Sequence, residues 1–214
     1  MKRFIILTFS SFIILAMFLI LYSHNIYIQS NLADKEEIVI GIIDGSLSKP
    51  HNNVKNITYS NDTCEKKHGD MLLDFIEKYD KHTKVAYYNA EKNGKISSKS
   101  IIDGLNWMLD NNISCICISL SSSYYSNELQ DWLHQNASVV KVYASYNNTP
   151  NTFDYPAQYT DVIGVGSNPE IAYKNVDIKY RSSKVIIINH GIFFFDGNSY
   201  LAPLQLINDI RRPS

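Results

Sequence analysis

The chain has 214 residues, of which 45% are hydrophobic and 19% are charged, and its formal net charge at pH 7 is −1. This length allows one sizeable domain with a hydrophobic core of its own. The nearly balanced charge gives no electrostatic reason for nucleic-acid binding, so we expect no nucleic-acid partner.

An uncharged, largely apolar stretch occupies residues 4–22, directly after Lys2 and Arg3, and its nineteen residues are enough for one helix across a bilayer. The stretch is longer than the apolar part of a cleaved signal peptide, and no small-residue cleavage site follows it, which favours an uncleaved signal anchor. The positive-inside rule leaves Lys2 and Arg3 in the cytoplasm and places the remainder outside the cell membrane. We therefore predict a transmembrane signal anchor over 1–22, a polar linker over 23–37 and one domain over 38–214.

Strands and helices alternate through that domain. Residues 38–43 form a continuous β-rich apolar run, which indicates a strand buried on both faces. We predict further strands over 84–88, 113–120, 138–144, 161–166 and 184–188, and helices from residue 68, over 97–112, over 127–135 with Ser126 as N-cap, and through 204–210. This alternation predicts an α/β fold with a mostly parallel β-sheet covered by helices, preceded by the one transmembrane helix.

The three cysteines are Cys64, Cys115 and Cys117, and no two of them form a Cys-x-x-Cys pair. Cys115 and Cys117 lie in an apolar run that is typical of a core. The chain also has no acidic cluster typical of a calcium loop. We therefore expect neither a metal ion nor another cofactor.

Two polar residues stand at the ends of predicted elements. Asp44 follows the first buried strand, where an acid is either a functional group or only the start of a turn. His68 opens an amphipathic helix, whose N-terminal dipole disfavours imidazolium and so suits a neutral base. A lone histidine is nevertheless more often without a catalytic role.

Residues 197–203 read Gly-Asn-Ser-Tyr-Leu-Ala-Pro and precede an apolar run with helical spacing. Ser199 is therefore expected at a helix start, where free N–H groups can stabilise a developing oxyanion, and Pro203 is expected in the first helical turn. Taken alone, this stretch favours an N-cap serine over a nucleophile, because a nucleophile needs a base and an orienting acid elsewhere in the chain.

The order Asp44, His68, Ser199 and the segments around these residues resemble the subtilisin-like serine peptidases, the subtilases, whose catalytic triad has this order. The resemblance covers about residues 38–210 and rests on several short motifs in the family's order. Besides the three triad segments, these are Ile116-Cys117-Ile118-Ser119-Leu120, Ala144-Ser145-Tyr146-Asn147, and Tyr155-Pro156-Ala157 followed by residues 162–166.

The resemblance implies a role for each matching residue. Ser199 would be the nucleophile, His68 the general base and acid, and Asp44 the group that orients His68. Asn147 and the Ser199 N–H would form the oxyanion hole. A peptide or protein substrate would pair with Ser119, Leu120 and Ser121 as an added β-strand.

Several residues depart from the family's pattern. Gly45-Ser46 follows Asp44, where the family usually has a hydroxyl residue and then glycine. Asp70 and Asn198 each stand where the family has threonine, and Ser121 and Tyr146 each replace a glycine of the substrate site. Tyr146 would either narrow the pocket for the residue before the cleaved bond or turn into the core. The pocket alternative, together with the added Ser121 side chain, predicts a preference for small residues there.

The sequence therefore predicts a membrane-anchored, extracytoplasmic serine endopeptidase that works through an acyl-enzyme and matures a secreted or modified peptide. The alternative is a catalytically inactive subtilase-like domain that binds peptides or partners at the cell surface. The substituted glycines favour this alternative, whereas the presence of all four catalytic residue types favours the enzyme.

Overall fold

The computed structural model describes residues 26–29, 36–55, 67–148, 153–166, 185–188, 191–194 and 197–211. The predicted signal anchor over 1–22 lies outside these residues. Among the residues that are described, no helix is both long enough and apolar enough to cross a bilayer.

A six-stranded sheet forms the centre of the described domain, with the strand order β3-β4-β2-β5-β6-β7. Every neighbouring pair in it is parallel, which confirms the predicted parallel α/β architecture. The strands are β2 (Ile38–Asp44), β3 (Val54–Lys55), β4 (Thr83–Asn89), β5 (Cys115–Ile118), β6 (Lys141–Ser145) and β7 (Val162–Val165).

A second, three-stranded sheet contains β1 (Ile26–Gln29), β8 (Val185–Ile188) and β9 (Gly191–Phe194). Strand β8 is parallel to β1 and antiparallel to β9. Strand β1 lies inside the segment predicted as a polar linker over 23–37, and the structure differs from that prediction there. Its Ile-Tyr-Ile sequence has the β-branched and aromatic residues that favour a strand.

Four described helices cover the six-stranded sheet: α1 (His68–Tyr79), α2 (Ser98–Asp110), α3 (Asn127–Asn136) and α4 (Asn198–Arg211). Side chains alternate between the two faces of a strand, so Ile40 and Ile42 of β2 pack with α1 and α4, whereas Ile43 packs with α2 and α3. The predicted N-cap Ser126 is confirmed, because its hydroxyl accepts the Leu129 N–H at 3.3 Å.

The two described cysteines, Cys115 and Cys117, are free thiols. Cys117 is fully buried in the core on the α1 side, and Cys115 packs partly buried against that core. Burial raises the pKa of the Cys117 thiol well above its usual range, so it stays protonated and unreactive. Cys64 lies outside the described residues.

Candidate active site

The structure brings Asp44, His68 and Ser199 together, although they are far apart in sequence. Nδ1 of His68 lies 2.7 Å from Oδ2 of Asp44. Nε2 of the same ring lies 3.0 Å from Oγ of Ser199. These contacts connect an acid, a base and a hydroxyl in the order that activation of a serine nucleophile requires.

Asp44 ends β2, and its carboxylate is held from both sides. Oδ1 accepts the Gly45 N–H at 2.7 Å, and Oδ2 faces His68. The backbone carbonyl of Asp44 accepts the Ala90 N–H at 2.8 Å, which ties the end of β2 to the end of β4. Because Asp44 is 1% exposed, its charge acts on His68 with little screening by water.

Gly69 lets the start of α1 approach the sheet closely. A Cβ atom on this residue would overlap the Tyr87 hydroxyl and lie 2.8 Å from Leu47. That hydroxyl donates a hydrogen bond of 2.6 Å to the Gly45 carbonyl, directly after Asp44. A glycine after His68 is therefore needed so that this contact can form beside the triad.

The protonation of His68 follows from its partners. A carboxylate only accepts hydrogen bonds, so Nδ1 donates to Asp44, and Nε2 of the neutral ring accepts from the Ser199 hydroxyl. The hydrogen bond to Asp44 raises the pKa of His68 above 6.5; burial opposes this effect, and the Asp44 charge adds to it. The ring of Tyr200 lies beside the imidazole, with a centroid distance of 6.1 Å.

Helix α4 begins at Asn198, so Pro203 lies in its second turn and not in the first turn as expected. Proline has no N–H to donate to the carbonyl four residues earlier, which is that of Ser199. The Ser119 hydroxyl donates to this carbonyl instead, at 2.9 Å. The side chain of Ser119, predicted to bind substrate, thus holds the backbone of Ser199.

The loop after β6 is joined to the turn before Ser199. The Asn198 amide donates to the carbonyls of Tyr146 and Asn147, at 3.1 and 2.9 Å. The Asn148 side chain accepts the Asn198 N–H at 2.7 Å. Gly197 has a φ of 132°, which a residue with a side chain adopts only with strain. These contacts join the backbone of Asn147 to the loop of Ser199, and the oxyanion-hole role of the Asn147 side chain stays a prediction.

The side chain of Tyr146 lies in the core, which corrects its placement in the substrate pocket. It is 3% exposed and packs in the cluster on the α2 and α3 side of the sheet. A Cβ on Gly164 would come within 2.5 Å of its ring, so the absence of a side chain at Gly164 makes room for the tyrosine. The expected preference for small residues loses its basis.

Leu120 is partly buried and Ser121 is exposed, so both lie at the surface after β5. They line a cavity of about 400 Å³, whereas none of the three triad residues lines it. The next residue, Ser122, pairs antiparallel with Tyr155 through two backbone hydrogen bonds of 2.7 and 2.8 Å. Further residues around the cavity include Ile96, Ile101, Tyr124, Leu129 and Tyr159.

The sequence profile of the subtilase family matches residues 60–188, more than half of the chain. The chain belongs to the subtilase family. This is a family of serine-type endopeptidases, in agreement with the protease relatives. The matched stretch includes His68, whereas Asp44 precedes it and Ser199 follows it.

A thermostable alkaline protease from Halalkalibacterium halodurans is 32% identical over 79 residues, which are 36% of this subtilase and 22% of that relative. The chain therefore matches only about a fifth of the relative's length. Among solved structures, a cold-adapted subtilisin-like serine proteinase has a TM-score of 0.61 at 16% sequence identity. The superposition covers 86% of this chain and 80% of the proteinase chain. A lanthipeptide protease has a TM-score of 0.55 at 15% sequence identity, and the superposition covers 83% of this chain and 75% of the protease chain.

The site of this subtilase also contains residues that the sequence analysis did not assign. Asn148 and Asn198 join the two loops, and Asp154 accepts the Asn147 N–H at 2.5 Å. Adjacency to Ser199 and Asn147 could have drawn attention to the two asparagines, but nothing in the sequence pattern indicated Asp154. Within the described part of the chain, no group of three His, Cys, Asp or Glu side chains could hold a metal ion.

Proposed function

We propose that this subtilase is a serine endopeptidase that cleaves peptide bonds with Ser199 as nucleophile, His68 as general base and acid, and Asp44 as the orienting acid. The observation that carries the proposal is the pair of contacts of 2.7 and 3.0 Å that join the three side chains through His68. Neutral imidazole with its proton on Nδ1 is the form that can take the serine proton.

In the acylation step, Oγ of Ser199 attacks the carbonyl carbon of the peptide bond, and its proton passes to Nε2 of His68. The imidazolium is stabilised by the Asp44 carboxylate, and the oxyanion is stabilised by Asn147 and the Ser199 N–H. His68 then gives its proton to the leaving amine, and the acyl-enzyme forms. Water attacks the ester by the same path, with His68 again as base.

We further propose that the enzyme is held at the cell membrane by residues 1–22, with its peptidase domain outside, and that it matures a secreted or modified peptide. The uncharged stretch at residues 4–22 supports the anchor. The structural similarity to a lanthipeptide protease supports the substrate class. The extended substrate would pair along residues 119–121 and lie across Ser199.

The alternative is an inactive domain that binds a peptide or partner at the cell surface. A domain that only binds needs no hydrogen-bonded acid, base and hydroxyl. Here all three are in contact, with Asp44 buried and His68 partly exposed. This geometry favours the enzyme.

The test is labelling with a fluorophosphonate probe, which reacts with an activated serine. The purified full chain is expected to label at Ser199. Ser199→Ala is expected to fold but to lose labelling and peptide cleavage, because the change removes only a hydroxyl inside helix α4 and introduces a residue that favours helix. Ser98→Ala, at the start of α2, is a matched control that should label normally. Absence of labelling in folded wild-type protein would favour the inactive domain.

A further inference from the structure

Asp154 carries a buried carboxylate oxygen that has no partner among the described residues. The residue is 1% exposed, and its Oδ2 accepts the Asn147 N–H at 2.5 Å. Its Oδ1 has no hydrogen-bond partner, and it is the one carboxylate oxygen in this condition in the described part of the chain. Buried carboxylates are normally paired or hydrogen-bonded through both oxygens, so this free oxygen requires an explanation.

The acid lies two hydrogen bonds away from the nucleophile's loop. Asp154 accepts the Asn147 N–H, and the Asn147 carbonyl accepts the Asn198 amide at 2.9 Å, directly before Ser199. On its other side, Tyr155 pairs with Ser122, which continues the predicted substrate segment. Asp154 therefore lies between the wall that would bind the peptide and the residue that would bind the oxyanion.

The charge balance at this position favours a positive ligand. No described lysine, arginine or histidine forms an ion pair with Asp154, and burial raises its pKa although the Asn147 N–H opposes that change. An uncompensated buried carboxylate is unfavourable, and a cation that reaches Oδ1 removes this penalty. An apolar side chain in the same place would leave the oxygen unpaired, and a neutral amide would leave the carboxylate charge uncompensated; a polar site rejects the wrong ligand in this way.

We infer that Asp154 determines specificity by binding the lysine or arginine side chain of the residue that precedes the cleaved bond. This residue carries the carbonyl that Ser199 would attack, so its oxygen would face Asn147, and its side chain would lie near the carboxylate that accepts the Asn147 N–H. The inference rests on the proposed function. One oxygen of Asp154 stays with the Asn147 N–H, and the other receives the ammonium or guanidinium.

The competing explanation is that Asp154 only holds Asn147 in position. Asp154→Asn separates the two roles, because the amide oxygen can still accept the Asn147 N–H while the charge is lost. A merely positioning residue would affect all substrates alike. A specificity residue would affect cationic substrates alone.

The experiment compares kcat/KM for peptides that differ only in the residue before the cleaved bond: arginine, lysine, glutamine, leucine or alanine. The wild type is expected to prefer arginine and lysine, and Asp154→Asn is expected to lose about a hundredfold on these two while it changes by less than about threefold on the others. Asp161→Asn is the matched control, since Asp161 pairs with His134 at 3.1 Å on the exposed side of α3, and should leave the profile unchanged. A wild-type preference for neutral residues, or an equal loss on all five peptides, would overturn the inference.

A binding measurement separates this inference from the proposed function. In the Ser199→Ala background, a fluorescent peptide that ends in arginine is expected to bind at least about tenfold more tightly than the same peptide ending in citrulline, and Asp154→Asn should abolish the difference. If the arginine peptide binds more tightly but the wild type is not labelled by the fluorophosphonate, the proposed peptidase activity is refuted and the cation site at Asp154 is supported. Normal labelling with equal binding of the two peptides would refute the cation site and keep the peptidase.

Discussion

His68 depends on its immediate neighbours for its charge, its tautomer and its orientation. Asp44 fixes the proton on Nδ1, and the side chain of His68 is still 40% exposed, so a substrate can reach the imidazole. The ring of Tyr200 lies between this imidazole and Phe75, whose centroid is 5.5 Å from that of Tyr200. Helix α4, which carries Ser199, thus also places an aromatic ring beside the imidazole of His68.

Substitution of Asp44 by asparagine should change both the rate and the pH dependence. The expected loss in kcat/KM is about 10⁴-fold, because the amide no longer selects the Nδ1–H tautomer. In the wild type, the hydrogen bond and charge of Asp44 raise the pKa of His68, so activity should fall on acidification at a pH above 6.5. With those contributions lost, burial alone remains and lowers that pKa, so the residual activity should persist to lower pH.

The measurement is kcat/KM from pH 5 to pH 9 for both proteins. Asp103→Asn is a suitable control, since Asp103 pairs with Lys92 at 2.8 Å on the exposed surface of α2 and should leave the profile unchanged. If kcat/KM falls at the same acidic pH in the wild type and in Asp44→Asn, the protonation of a group other than His68 causes that fall.

Individual residues differ in how well their positions could be predicted. Asp44, His68 and Ser199 stand at the end of a strand or near the starts of helices, but position alone left each of them ambiguous. Their order and flanking motifs, which resemble those of the subtilases, assigned their roles. The direction of Tyr146 depends on the space left by Gly164, a residue eighteen positions further along the chain, so local pattern could not indicate it. The unpaired oxygen of Asp154 is likewise a product of tertiary packing.

Helix α4 shows how one proline changes the surroundings of Ser199. Pro203 provides no N–H and pushes the carbonyl four residues earlier away from the helix axis. That carbonyl belongs to Ser199 and is bonded by the Ser119 hydroxyl from the end of β5. The helix is therefore attached to the sheet at the residue where the chemistry is proposed to occur.

Ser119→Ala should leave the Ser199 carbonyl without a partner. We expect a loss of about 1–3 kcal/mol in the free energy of unfolding, the usual penalty for an unsatisfied buried acceptor, and a fall of about tenfold in kcat/KM. Pro203→Ala restores an N–H that can reach the same carbonyl. It should therefore be better tolerated in the Ser119→Ala background than in the wild type, with a coupling of at least about 0.5 kcal/mol. Urea unfolding of the four proteins measures this, and additive effects would disprove the shared contact.

The start of α1 is fixed by Asp70, which the family pattern marked only as a departure. Its carboxylate is fully buried and accepts hydrogen bonds from the Ser48 backbone and hydroxyl and from the Lys67 N–H. Nε2 of His51 lies 3.0 Å away. Burial alone would raise the pKa of Asp70, but these hydrogen bonds hold it at about 2. The loop after β2 is thus tied to the helix that carries His68.

Asp70→Asn is expected to reduce the free energy of unfolding by about 3 kcal/mol at neutral pH, because an amide cannot accept from all these donors. The folded-state pKa lies below the reference value of 3.8, so the contribution of Asp70 is present above pH 3.8 and is lost as the pH falls towards 2. Denaturant unfolding at pH 7 and between pH 3.8 and 2 measures this effect. The free energy of unfolding of the wild type should approach that of Asp70→Asn as the pH falls.

Glu77→Gln provides the control two turns later on α1. Glu77 is exposed, so its substitution is expected to change the free energy of unfolding by less than about 0.5 kcal/mol. An equal loss in the free energy of unfolding in the two variants would show that the buried hydrogen bonds of Asp70 stabilise the fold no more than an exposed acid does.

At the scale of the molecule, strand order determines which residues can meet. Strand β2 lies between β4 and β5, and β6 follows β5, so the loops after β2 and β6 share the carboxyl edge of one parallel sheet. Helices α1 and α4 both pack on the same face, which places His68 and Ser199 on the same side of β2. The alternation of elements predicted a parallel sheet, but this order follows from long-range packing that local periodicity does not contain.

The membrane prediction concerns the whole chain. If residues 1–22 span the bilayer with Lys2 and Arg3 inside, the peptidase domain lies outside and is joined to the anchor. Protease added to intact cells should then degrade the domain, detected with an antibody against its C-terminal helix, while a cytoplasmic marker remains intact. Deletion of residues 4–22 should retain the domain in the cytoplasm, where it is protected until lysis. Protection of the full chain in intact cells, with degradation only after lysis, would contradict the outward orientation, and release of the full chain by a carbonate wash would contradict the span itself.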